Sequence, residues 1–430
     1  MSFYKKTIKD FDLKNKKVLI RVDYNVPLKD GKILDDYRIK KSLPTLKYLL
    51  DQDCKIIICS HLGRPKNSED KQFSLKPLAE RLAELIEKDV SFAPDCVGEG
   101  TISLASNLKS KELLLLENLR FHPEEEANNA DFSKQLASLA EVFVQDGFGV
   151  VHRAHASTVG VTKYLPAVSG LLLEIEVDTI TNAMEKPKRP LVAIIGGAKI
   201  ADKIEILGRF IDLADVVAVG GAMANTFLLA KGIKIGSSLA DPENLSMAKD
   251  IIDKAKAKTK NNNFIFYIPQ DGVVATSIDK TAKTRVVDWD ADVFAEVEAY
   301  PHKPERSSAT IRDNEEILDI GPFSGAFMAG AISMAESVIW NGTLGVTETQ
   351  ALNGPIGPFS HGTELIIDAL TGAWGHKPYS LIGGGDTAGY IEERKLVGAF
   401  NHVSTGGGAS LELMAGHKLP GVEALLDKEK

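Results

Sequence analysis

Two α/β domains, each built on a parallel β-sheet flanked by helices, are what this sequence predicts, and three observations predict them. The chain has 430 residues, more than one hydrophobic core ordinarily organises. Short runs rich in Val, Ile and Leu recur along it and stop at polar or glycine-containing turns, with amphipathic helical patterns between them. Strands alternating with helices imply parallel sheets covered on both faces. The runs also fall into two series with different residues behind them, which assigns one ligand site to each domain.

The first series covers residues 18–22, 56–59, 113–116 and 142–144. The stretch Leu75-x-x-Leu-Ala-x-x-Leu-Ala-x-x-Ile86 has the three-to-four spacing of an amphipathic helix. Cationic and polar groups follow these strands: Arg21-Val-Asp23-Tyr-Asn25, Ser60-His61-Leu-Gly-Arg64, Glu117-Asn118-Leu-Arg120 and His152-Arg153-Ala-His155. Next, Leu171-Leu-Leu-Glu-Ile-Glu opens a connecting helix that ends near Lys186-Pro-Lys-Arg-Pro190. The second series covers residues 191–195, 216–219, 264–268, 317–320, 338–340 and 381–382. Glycines follow most of these strands: Gly196-Gly-Ala-Lys199, Gly220-Gly-Ala-Met, Asn341-Gly342 and Gly383-Gly-Gly-Asp386. The stretch from 279 to 312 mixes charges and carries no motif. In open parallel sheets ligands bind beyond the carboxyl ends of the strands, so the first domain is expected to hold a small anion and the second a nucleotide.

Composition narrows the partners. The balance of 51 Lys+Arg against 59 Asp+Glu gives a net charge of -8, which argues against general nucleic-acid or anionic-membrane binding. Any bound anion needs a local cationic cluster. Cys54, Cys59 and Cys96 form no C-x-x-C pair, so neither a disulfide framework nor a thiolate zinc site is expected, and a reducing cytoplasm fits best. No run of 18 apolar residues occurs, and the first residues lack an apolar core followed by a cleavage site.

Single Arg or His residues read first as surface charges, and His61 and His122 as polar cleft residues. Several guanidinium groups behind successive strands are different, because they repel one another unless an anion joins them. His152 and His155 have no third metal ligand nearby. A glycine turn taken alone is tight packing, whereas several in one domain favour a polyphosphate. The core Gly383-x-Gly385-x-x-Ala388 fits a dinucleotide fingerprint, yet the acidic residue expected about 20 positions on is absent, since Ser404-Thr405 stand there. There is no P-loop and no H-R-D or D-F-G arrangement. Lys199 and Lys203 lie four apart, and a helix starting behind the glycines would put both on one face. Cations at a helix start are disfavoured by its dipole, so their presence suggests an anionic partner.

With these motifs together, the chain resembles phosphoglycerate kinase along almost its whole length and in that family's order. The match covers Arg21-Val-Asp-Tyr-Asn-Val-Pro27, Ser60-His-Leu-Gly-Arg-Pro65, Glu117-Asn-Leu-Arg-Phe121, His152-Arg-Ala-His-Ala-Ser157, Gly196-Gly-Ala-Lys-Ile-Ala-Asp-Lys203, Trp340-Asn-Gly342, Gly383-Gly-Gly-Asp-Thr387 and Ser404-Thr-Gly-Gly-Gly-Ala-Ser410. The resemblance implies two Rossmann-like domains joined by a hinge helix: 1–170 completed by 406–430, a hinge at 171–189, and 190–405. It also implies reversible, Mg²⁺-dependent phosphoryl transfer from 1,3-bisphosphoglycerate to ADP, giving 3-phosphoglycerate and ATP, by a cytoplasmic monomer that closes about its hinge. By motif position, Asp23, Asn25, Arg38, His61, Arg64, Arg120 and Arg153 would hold the phosphoglycerate. Lys199, Lys203, Gly384, Gly385 and Thr387 would contact nucleotide phosphates, Asn341 and Glu348 the ribose region, and Asp386 the magnesium. Arg38, Lys203 and the Gly385 N–H are the expected stabilisers of the moving phosphoryl group. The departures are Gln145 and Gly147 for Asn and Ala, Ala222 for a third glycine, and Thr343, Leu344 and Thr347 for Pro, Met and Phe. Of these, Ala222 and Thr347 fall where base preference would be set. The rival readings are an idle nucleotide-binding scaffold of the same fold and an NAD-dependent dehydrogenase.

Overall fold

The computed structural model describes residues 3–261, 263–289, 310–349 and 351–428, so most of the mixed-charge stretch, 290–309, lies outside the described residues. The chain divides into two compact units. One runs through Asn182 and takes in the segment from Thr405 onward; the other is Ala183–Ser404. The division falls inside the Leu171–Glu185 helix.

The first unit is built on β1 (Lys17–Arg21), β4 (Lys55–Cys59), β5 (Val90–Phe92), β6 (Leu113–Leu115), β7 (Val142–Gln145) and β8 (Ala167–Ser169), with β2 (Leu28–Lys29) and β3 (Lys32–Ile33) forming a small separate hairpin. The six strands pair in parallel in the order β5-β6-β4-β1-β7-β8. Strands buried on both faces read as continuous apolar runs. That is why β1, β4, β6 and β7 fall within a residue or so of the expected positions. Val18, Ile20, Ile56, Ile58, Leu113 and Val144 are core residues. Strands β5 and β8 are three residues each, Val-Ser-Phe and Ala-Val-Ser, too short and mixed to carry a period.

The chain builds outward from β1 through β4 to β6 and then returns to its other side with β7, so the strand order reverses at β1, whose C-terminal end opens on a crevice. Asp146, just past β7, accepts hydrogen bonds from the N–H groups of Leu172 (2.9 Å) and Leu173 (3.4 Å) and so caps the Leu171–Glu185 helix. Burial pushes its carboxyl up to about 7. One and a half turns on, Glu176 accepts from the Thr405 N–H (2.7 Å) and hydroxyl (2.8 Å). Beyond it, the C-terminal segment is tied to this unit by Gly421 N–H to Val151 O (2.8 Å) and Leu426 N–H to Ala167 O (3.0 Å).

The second unit repeats the plan. Strands β9 (Leu191–Ile195), β10 (Val216–Val219), β11 (Ile265–Tyr267), β15 (Ser337–Asn341), β16 (Tyr379–Gly383) and β17 (His402–Val403) form a parallel sheet ordered β11-β10-β9-β15-β16-β17, which reverses between β9 and β15. One expectation fails here. The run at 317–320 is not part of that sheet; it is β14 (Glu316–Ile320), which pairs antiparallel with β12 (Asp271–Ala275), itself antiparallel to β13 (Arg285–Asp288). A four-residue apolar run carries no information about the direction of its neighbours.

Candidate active site

The crevice of the first unit is cationic. Asp23, two residues beyond β1, is 8 % exposed and accepts from Arg38 Nη1 at 2.8 Å, while His61 Nδ1 lies 3.9 Å from its other oxygen. Burial opposes the ionised carboxyl, but the guanidinium groups of Arg38 and Arg21 outweigh it and hold Asp23 down to about 2. Arg21 itself is buried; its Nε donates to Ser157 Oγ at 2.8 Å, and its Nη2 lies 3.2 Å from His61 Nδ1. A guanidinium has only donors, so Nδ1 must accept and His61 is neutral, in keeping with a pKa driven well down by burial. Glu125, also buried, accepts from the Ser157 N–H (2.9 Å) and hydroxyl (2.5 Å).

Around this core stand the remaining residues. Asn25 Oδ1 accepts from the Gly63 N–H (2.8 Å) while Arg120 Nη1 donates to Gly63 O (2.8 Å), which fixes the turn carrying His61 toward Arg64. Arg120 also pairs with Glu126 at 2.9 Å; burial, with Arg21 and Arg153 nearby, lowers its pKa. Arg153 Nε donates to His152 Nε2 (3.1 Å), and Arg64 is exposed. His152 and His155 both have lowered pKa values through burial, that of His155 to about 4. They are neutral polar residues of the crevice. His122 turns away to Asp95 (2.7 Å). Gly149 is required for space, because a Cβ there would lie 2.1 Å from Asp23 Oδ2. The structure thus gathers Asp23, Arg38 and His61 by direct contact and sets Arg120 and Arg153 within electrostatic reach. The sequence had not singled out Arg21, Ser157 and Glu125 as the support beneath them. The available signals were Arg21 opening the first motif and Ser157 closing the one that begins at His152.

In the second unit Lys203 occupies the reversal point. Its Nζ donates to Gly196 O beyond β9 (2.6 Å), and to Asn341 Oδ1 (2.7 Å) and Asn341 O (3.3 Å) at the end of β15. Burial lowers its pKa to about 8, although Asp386 and Asp202 push the other way. Lys199 is exposed, and the expected shared helix face does not exist: Ala201–Lys203 is a 3-10 turn and the α-helix is Ile204–Leu213. The half-buried Lys203 reaches back to strand carbonyls, so the helix begins only after it.

The glycine turn forms as expected. Gly384 (φ 90°) precedes the Gly385–Glu393 helix, and a Cβ on it would sit 3.1 Å from Asn341 Oδ1; one on Gly385 would meet nothing. Packing therefore explains Gly384, and open space in front of the helix start is left by Gly385. The Thr387 hydroxyl oxygen, buried, accepts from the Gly342 N–H (2.7 Å). Asn341 Nδ2 is buried without a partner among the described residues. Asp386 is exposed in the first turn of the helix and has no ion pair among the described residues. A lone hard carboxylate beside a glycine turn at an open helix start fits Mg²⁺, which keeps waters and takes phosphate oxygens as ligands. Beside the turn lies a cavity of about 280 Å³, lined by Ala222, Leu228, Leu239, Trp289 and Val346 among others, with Glu348 at an exposed position. Leu344 lines it too, while Thr347 does not.

Known proteins resemble the chain in sequence and fold. A family model described as phosphoglycerate kinase matches residues 8–417. A phosphoglycerate kinase of Moorella thermoacetica is 44% identical over 424 residues, covering 99% of this chain and 100% of its own. The fold is similar to the structure of phosphoglycerate kinase from Coxiella burnetii (TM-score 0.78, 36% identity) and to the crystal structure of the Pyrococcus horikoshii OT3 enzyme (TM-score 0.79, 29% identity), each covering 98% of both chains.

Proposed function

The chain belongs to the phosphoglycerate kinase family, and from that premise we propose how its residues divide the work of the reaction. It is a phosphotransferase, passing a phosphoryl group between 1,3-bisphosphoglycerate and ADP to give 3-phosphoglycerate and ATP. One observation carries the division: each sheet reverses at a crevice, one rich in guanidinium groups and the other holding a half-buried Lys beside an open helix start.

In the ATP-consuming direction the nucleophile is the carboxylate of 3-phosphoglycerate, ionised at neutral pH with a pKa near ~4. No general base is required. That agrees with the neutral His61, which lacks both a free lone pair at Nδ1 and a charge to give. Asp23, Asn25, Arg38, His61, Arg64, Arg120 and Arg153 bind the phosphoglycerate. Arg38, held by Asp23, and Lys203 neutralise the moving phosphoryl group, with the Gly385 N–H as a donor at the helix start. Lys199, Gly384 and Thr387 line the phosphate path, and Asn341 and Glu348 the ribose region. Asp386 would hold Mg²⁺, which supplies charge neutralisation on the phosphates when bound.

Transfer in line requires the two substrates to meet in a site without water, since water would hydrolyse the acyl phosphate. Closure about the 171–189 segment on binding both substrates meets that need. A monomer working in the cytoplasm completes the reading; among the described residues no helix is long and apolar enough to cross a membrane. A coupled assay with ATP, 3-phosphoglycerate and Mg²⁺ tests the activity. Turnover that depends on all three is expected. ATP binding without turnover would instead favour an idle scaffold, and NAD reduction a dehydrogenase.

A further inference from the structure

Away from the crevice of the first unit, at the edge of its sheet, three metal-ligating side chains of different chemistry meet. Strands β5 and β6 run parallel as neighbours, so the segments that leave their C-terminal ends lie side by side. The first carries Asp95 and Cys96, and the second carries His122 just past the 3-10 turn Leu119–Phe121. A carboxylate oxygen of Asp95, the sulfur of Cys96 and a ring nitrogen of His122 all lie within 4.8 Å of one another. Sequence spacing could not show this, because Cys96 has no C-x-x-C partner and His122 arrives from another strand.

The Cys96 thiol is the unusual member. Its residue is 0% exposed. The other two thiols donate to backbone carbonyls, Cys54 to Leu13 O (3.1 Å) and Cys59 to Ile20 O (3.5 Å), whereas that of Cys96 has no hydrogen-bond partner among the described residues. Burial, with Asp95, Glu125 and Cys59 nearby, drives its pKa well up, so the thiol alone keeps its proton. Carboxylates that oppose a thiolate favour a cation, and a coordinated thiol ionises. Outward from the sulfur, His122 is half-buried and Asp95 exposed, which leaves an ion a path from solvent. Asp95 Oδ1 accepts from the Cys96 N–H (2.6 Å) and pairs with His122 Nε2 (2.7 Å), while Oδ2 has no partner among the described residues.

We propose that Asp95, Cys96 and His122 form a binding site for Zn²⁺, separate from the Mg²⁺ that serves the nucleotide. One sulfur, one nitrogen and one oxygen donor suit zinc, whereas magnesium takes oxygen ligands. Zinc bonds of about 2.0 to 2.3 Å set tetrahedral donors roughly 3.3 to 3.6 Å apart. The three donors here straddle that spacing, so rotation of the partly exposed Asp95 and His122 side chains completes the set. On binding, the Cys96 proton leaves to solvent as the sulfur–zinc bond forms. The ion replaces the hydrogen bond between His122 and Asp95, the imidazole keeps its proton on the nitrogen away from the metal, and water takes the fourth position.

Cobalt(II) reports such a site, since a thiolate bound to it gives a charge-transfer band that carboxylate or histidine ligation alone does not. The reduced, metal-free full chain is titrated with Co²⁺ in excess Mg²⁺, which occupies the oxygen sites, and Zn²⁺ is then added. A charge-transfer band that saturates at one equivalent and is lost when Zn²⁺ displaces the cobalt is expected. The band should be absent in Cys96→Ala, and Co²⁺ affinity at least ~10-fold weaker in His122→Ala. No band in the unaltered protein overturns the proposal, as does a band that survives in folded Cys96→Ala, which would come from Cys54 or Cys59. Where Cys96→Ala does not fold, the partly exposed positions decide: unchanged affinity in both His122→Ala and Asp95→Ala overturns the site.

Discussion

Arg38 and Lys203 face opposite electrostatic problems, and each residue's environment states its role. Arg38 is held by an ionised Asp23, so it approaches its ligand already oriented. Lys203 is half-buried among oxygen acceptors, and desolvation lowers its pKa to about 8. Replacing either by Ala should lower kcat at least ~100-fold, as losing a transition-state donor does, while circular dichroism shows the fold intact. Near-normal turnover would remove that residue from catalysis. A pH dependence follows from the lowered Lys203 pKa of about 8. Below that value Nζ is charged and attracts phosphate; above it the charge is lost. The kcat/KM for the nucleotide should therefore fall as pH rises through about 8, and Lys203→Arg, which stays charged, should flatten that fall. A flat profile in the unaltered enzyme would contradict the burial argument. The charged residues were legible in the sequence because they follow apolar runs at fixed offsets. Arg21, Ser157 and Glu125 were not, since their role comes from burial against one another across up to 136 residues of chain, which no local pattern records.

At the scale of elements, the glycine turn before the Gly385–Glu393 helix separates two demands that look identical in sequence. Gly384 needs φ 90° and room beside Asn341, whereas Gly385 has neither constraint. Gly384→Ala should destabilise the protein by at least about 1 kcal/mol in denaturant unfolding. Gly385→Ala should leave stability within about 0.5 kcal/mol and weaken nucleotide binding instead, because its methyl group enters the space in front of the helix start. Equal loss of stability in both variants would refute this distinction. The parallel strands were legible because burial on both faces leaves continuous apolar runs. The direction of β14 was not, and neither was the late helix start behind Lys203, where one side chain's reach to two strand ends outweighs local helical spacing.

For the whole molecule, the chemistry demands more than either unit supplies. The Leu171–Glu185 helix is capped by Asp146 at its start and tied through Glu176 to Thr405, both within the first unit. Small-angle scattering should show a smaller radius of gyration with 3-phosphoglycerate and Mg-nucleotide together than with neither, and no compaction would count against closure. Two-domain organisation was legible from chain length and from the change in residue type behind the two strand series. The return of the C-terminal segment entered only through family resemblance, because its contacts with Val151 and Ala167 have no counterpart in spacing. The central claim is that each unit binds its own substrate. Calorimetric titration of Arg38→Ala and Lys203→Ala, each with 3-phosphoglycerate and with Mg-ADP, tests it most directly. Arg38→Ala should lose affinity for 3-phosphoglycerate and keep Mg-ADP binding, and Lys203→Ala should do the reverse. Either variant losing both ligands while folded, or losing the other unit's ligand, would contradict the assignment.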